Sequence, residues 1–122
     1  MVALSFLLRG RQMELKRAFG KILCWLRGER GFTQEDFSIV SSRTYISSLE
    51  RGIYSPTLEK LDDIASVMKV HPITLLIGTY ALKEERSVDE LLSEVRSQIE
   101  GYGLVAGFDR LVESASQGDS RL

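Results

Sequence analysis

Between Arg43 and Gly52, two cations and three short hydroxyl side chains can share one side of a helix. A helix advances about 100° per residue, so with Arg43 at zero, Ser47, Arg51, Thr44 and Ser48 follow within an arc of about 140°. Ile46 and Leu49 fall on the opposite side, which makes the segment amphipathic. None of the five polar residues is acidic. Guanidinium groups can hold guanine or phosphate, and Ser and Thr bond either. Short side chains let a helix come close to the floor of a major groove.

Such a face needs elements that hold it outward. Upstream, Thr33 followed by Asp36 has the form of a capping box, which puts Gln34 at the first helical position. Phe37 and Val40, three apart, then point to a core, and Gly52 supplies a stop after Arg51. The segment thus reads as two short helices joined by a turn. Before it, residues 14–30 carry Leu15, Phe19, Ile22, Leu23 and Leu26 at helical spacing. After it, Pro56 and Thr57 open a helix to about Lys69, with Leu58, Leu61, Ile64, Ala65 and Met68 on one face. His71, read as a cap or turn residue, and Pro72 restart the chain, and Ile73, Leu75, Leu76 and Ile77 continue the core.

The run from about Phe19 to Leu76, nearly half the chain, resembles the Cro/cI-type (XRE) family of helix-turn-helix regulators. The landmarks are Leu26-Arg27, Gly31, Thr33-Gln34-Glu35, Tyr45-Ile46-Ser47, Leu49-Glu50-Arg51-Gly52, Ser55-Pro56-Thr57-Leu58 and Ile64-Ala65, in that order. The resemblance implies an all-α, lambda-repressor-like five-helix DNA-binding domain. It implies that Gln34 meets the phosphate backbone and that Arg43, Thr44 and Ser48 reach base edges, with Ser47 as a further base contact and Arg51 near a phosphate. The expected partner is double-stranded DNA, bound by a homodimer on a palindromic operator. The expected role is a transcriptional regulator, most commonly a repressor, bacterial or phage-encoded, in the cytoplasm and nucleoid-associated when bound.

The chain departs from the family at one place. Relatives usually have about two more residues between the Gln and the second helix of the motif, with a Gly in the turn, where this chain has Val40-Ser41-Ser42. Removing two residues from a continuous helix would rotate all that follows by about 200°. The loss is therefore expected in an early helix end and a tighter turn, with an altered docking angle on DNA.

Beyond the resemblance, Ser87 and Glu90 form a second capping-box pattern. Val88, Leu91, Leu92, Val95 and Ile99 make an apolar stripe opposite Asp89, Glu94, Arg96 and Gln98. Gly101-Tyr102-Gly103 is a break, and Leu104, Val105, Phe108, Leu111 and Val112 predict a last short helix before a polar tail at residues 114–122. The expected organisation is an N-terminal arm or extension at 1–13, the DNA-binding domain at 14–81, a dimerising helical segment at 84–113, and the tail. Val2 to Leu8 reads either as a strand or arm packing on a partner, or as an extension from an upstream start with Met13 the natural first residue. It lacks a preceding basic region and a small-residue cleavage site. The alternative for residues 84–113 is an antitoxin-like module that binds a partner protein and autoregulates its operon.

Charge is divided along the chain. Residues 1–56 hold nine Lys or Arg and five Asp or Glu, a net +4, while the rest carries −5, giving −1 in all. A basic front bearing the motif and an acidic rear suit a DNA-facing half and a partner-facing half. Hydrophobic content of 43% with 27% charged residues is that of a globular domain, and no apolar run approaches membrane-spanning length. The single Cys24, between Leu23 and Trp25, is expected to be a buried apolar residue. With one His and one Cys, no metal-ligand set and no glycine-rich phosphate loop, neither an enzyme nor a cofactor is expected.

Overall fold

The computed structural model describes residues 13–118. The expected arm or extension lies almost wholly outside the described residues. The elements are α1 (Leu15–Glu29), a 3-10 turn (Gln34–Phe37), α2 (Arg43–Glu50), α3 (Leu58–Met68), α4 (Pro72–Glu84), α5 (Val88–Gly101) and α6 (Leu104–Ser116). All described secondary structure is helical, as expected. The chain forms two compact units, one up to Val88 and one from Asp89.

In the first unit, α1, the 3-10 turn, α2, α3 and α4 surround one core. It is built from Phe19, Leu23, Phe37, Ile46, Leu49, Leu61, Ile64, Ala65, Met68 and Leu75. Local chemistry sets the helix ends. Helices α1 and α2 both close with the paired bonds of a Schellman motif. In α1 these are Gly31 N–H to Gly28 O and Phe32 N–H to Arg27 O; in α2 they are Gly52 N–H to Leu49 O and Ile53 N–H to Ser48 O. Both glycines have positive φ, +77° and +75°, where a Cβ is disfavoured. Thr57 caps α3 by accepting from Lys60 N–H at 3.1 Å. His71 is the cap expected of it: its Nδ1 accepts from Ile73 N–H at 3.0 Å, and Pro72 takes the first helical position.

Gly20 brings α1 against the end of α2. A Cβ there would stand 2.4 Å from the Leu49 carbonyl oxygen and 2.6 Å from that of Glu50, so only glycine admits this approach. Two residues expected in the core are instead exposed, Leu58 at 77% and Ile73 at 56%. Both lie in the first turn of their helices, where the apolar stripe has run past the edge of the core.

The second unit comprises all but the first residue of α5, together with α6, separated by Tyr102 and Gly103. Leu91 is its one buried residue among those described. Helix α6 continues through Ser116, so the stretch read as polar tail begins helical. Among the described residues, no single helix is long and apolar enough to cross a membrane.

Candidate nucleic-acid interface

Asp36 N–H donates to Thr33 Oγ1 at 3.3 Å and Thr33 N–H donates to Asp36 Oδ2 at 2.7 Å, which completes the expected capping box. The helix it starts is a single 3-10 turn. Val40 and Ser41 N–H both return to Phe37 O, the Lys60 ammonium donates to Val40 O, and Ser42 Oγ caps α2 through Tyr45 N–H at 3.1 Å. The first of the two expected helices is thus shortened to four residues. The helix ends early and the chain turns tightly, while the apolar face of α2 stays inward. Phe37, Ile46 and Leu49 are all fully buried.

The outer face of α2 follows the helical wheel with one correction. Arg43, Thr44 and Arg51 are exposed and Ser47 is half-buried. Ser48, placed by the wheel at the edge of the outward arc, is buried at 7% exposure. The chain after Gly52 doubles back along that edge: Ile53 N–H bonds Ser48 O, and the Tyr54 ring stacks on Tyr45 with centroids 6.4 Å apart.

Behind the outer face lies a network that spacing alone did not reveal. Glu50, the last residue of α2, accepts from Arg27 Nε at 2.6 Å and Nη2 at 3.0 Å, and from Gln34 Nε2 at 3.0 Å. Arg27 Nη1 also donates to Phe32 O at 3.1 Å. Residues from α1, the 3-10 turn and α2 therefore meet at one carboxylate. Burial pushes the Glu50 carboxyl up, but the hydrogen bonds and charge of Arg27 and the Gln34 bond outweigh it, and the group sits below the usual carboxylate range. The Glu50 hydrogen bond holds the Arg27 guanidinium above its ordinary value. Gln34 has one amide N–H committed inward, and its amide keeps a second donor.

A further acid stands close to the outer face. Glu35, next to Gln34 in the 3-10 turn, accepts from Arg43 Nη1 at 3.1 Å. Its sequence neighbourhood gave no sign of this, because the wheel contains only residues of α2. Cys24 is exposed, which corrects the expected burial. It lies about 140° around α1 from Phe19, off the buried face, although its neighbours Leu23 and Trp25 are apolar. No group of three His, Cys, Asp or Glu among the described residues could hold a metal ion.

A helix-turn-helix family profile matches residues 25–75. The HTH-type transcriptional regulator y4dJ of Sinorhizobium fredii, itself uncharacterized, is 36% identical over 69 residues, covering 55% of this chain and 90% of that one. The chain belongs to the Cro/cI-type (XRE) helix-turn-helix family of transcriptional regulators. Two crystal structures of the clp gene regulator ClgR from Corynebacterium glutamicum share the fold of this XRE-family chain. One has a TM-score of 0.56 at 24% identity, covering 61% of this chain and 97% of the other. The second has 0.58 at 23%, covering 72% and 96%. In this XRE-family regulator the matched residues include the 3-10 turn, α2 and α3.

Proposed function

We propose that the protein is a sequence-specific repressor that binds double-stranded DNA as a homodimer, each copy laying α2 in a major groove. The observation that carries this reading is the outer face of α2. Arg43, Thr44, Ser47 and Arg51 remain accessible there, on a helix whose opposite side is fixed in the core by Ile46 and Leu49. Arg43 and Thr44, in the first turn of α2, are the base readers, with Ser47 one turn on. Arg51 and the second amide N–H of Gln34 meet phosphates. Ser48, being covered, is left out of the contact set.

Selection of bound fragments from random duplex DNA tests the reading directly. The expected result is a palindrome with half-sites about 34 Å apart or a multiple of it. Arg43→Ala is expected to relax preference at one base pair per half-site by about 1–3 kcal/mol. Gln34→Ala should weaken binding evenly across sequences. Failure to enrich any motif overturns the proposal.

The homodimer reading is supported by the second unit. Leu92, Val95, Leu104, Val105, Phe108, Leu111 and Val112 are all between 37% and 66% exposed. On α6 the spacing of Leu104, Val105, Phe108, Leu111 and Val112 puts them on one helix face, and apolar patches of this kind mark interaction sites. Light scattering of the full chain should give twice the 13.7 kDa chain mass, falling to a monomer in Phe108→Glu. A monomeric wild type that co-purifies with a different small protein would favour the antitoxin-like alternative.

A further inference from the structure

We infer that Glu35 is a specificity-determining residue that acts by positioning Arg43; the inference rests on the proposed reading of bases by Arg43. Arg43 is the first residue of α2, and Glu35 is the second of the 3-10 turn before it. Their side chains meet across the turn, with Arg43 Nη1 donating to Glu35 Oε1 at 3.1 Å. Both are largely exposed, 69% and 71%, so in the free protein the pair is weak and screened. DNA changes that balance. When α2 enters a groove, water leaves the neighbourhood of the pair and its attraction strengthens in the lower dielectric.

The bond to Glu35 uses one of the five guanidinium N–H groups and leaves an edge free for the paired acceptors of a guanine. A long, exposed arginine at a helix start has an easier alternative, which is to swing to the nearest phosphate. Glu35 opposes that swing twice. Its carboxylate competes with phosphate for the same cation, and its own negative charge is repelled by the DNA backbone. Specificity is a difference between affinities, and a group that penalises the phosphate-bound state more than the base-bound state widens it. Glu35 thus lowers general affinity for DNA and raises discrimination at the base pair that Arg43 reads.

The opposing signs separate this role from a structural one. The probe is the duplex recovered by selection with the wild-type protein, its single-base variants, and a scrambled duplex of equal length. Glu35→Gln keeps the size of the side chain and removes its charge. It is expected to reduce discrimination at the Arg43 base pair about fivefold, the scale of a well-placed ion pair. Binding to the scrambled duplex should strengthen, and the thermal midpoint should not change. In an Arg43→Ala background the same substitution should leave base preference untouched. If Arg43→Ala changes preference at one base pair and Glu35→Gln does not, the role of Glu35 is overturned while the proposed function stands. If Arg43→Ala itself leaves every preference intact, the assignment of Arg43 fails, and the positioning role fails with it.

Discussion

The carboxylate of Glu50 keeps only 7% of its side chain exposed and is met by two N–H groups of Arg27, itself 19% exposed, and one of Gln34. Because its folded pKa is lowered, the stability it supplies is complete above the ordinary glutamate value of about 4.3 and is lost as pH falls through the folded value. Glu50→Gln should therefore cost about 2–4 kcal/mol at pH 7, since it leaves Arg27 with a neutral partner in a covered site. In urea unfolding followed by circular dichroism, the gap between variant and wild type should narrow steadily below pH 4; an unchanged gap at pH 3 would contradict the assignment. Single-residue properties were unevenly legible in the sequence. The caps at Thr33 and His71 were readable because both are local, completed within three residues. The partners of Glu50 were not, because Arg27 lies 23 positions away and Gln34 lies 16 away, and only tertiary packing unites them. The burial of Ser48 was not legible for a related reason: a wheel describes one helix and not what packs against it.

At the scale of elements, α1 shows how two glycines in one helix differ. Gly20 sits where α1 touches the carbonyls that end α2, whereas a Cβ on Gly28 would meet nothing within 4 Å. Gly20→Ala should destabilise by about 1–3 kcal/mol through overpacking against backbone that cannot move aside. Gly28→Ala should stabilise by up to about 1 kcal/mol, the helix-propensity gain of alanine. Thermal denaturation of the two variants, with midpoints moving in opposite directions, checks both expectations together. The helices themselves were legible because amphipathic spacing over two or more turns is strong: α1 and α3 begin and end within two residues of expectation, whereas α6 runs on to Ser116, past the expected start of the tail. The 3-10 turn was only half legible. Its capping box and buried Phe37 were plain, but four residues are too few for periodicity to separate a 3-10 turn from an α-helix.

On the scale of the whole molecule, the two units differ in how they satisfy their apolar residues. The first has a ten-residue buried cluster, while the second buries Leu91 alone among its described residues. Phe108→Glu should therefore leave the unfolding midpoint of the first unit unchanged while lowering the molecular mass in solution and the affinity for a palindromic duplex. Loss of mass without loss of affinity would separate oligomerisation from DNA binding. Charge follows the same division: residues 1–88 hold thirteen Lys or Arg and ten Asp or Glu, a net +3 on the unit carrying α2, while residues 89–122 hold three and seven, a net −4. Trp25, the sole tryptophan, projects from α1 with 63% of its surface in water. Its indole meets nearly the same solvent before and after the chain unfolds, so its emission colour should scarcely shift on denaturation. The ultraviolet fluorescence of this protein is consequently a poor thermometer of its folding.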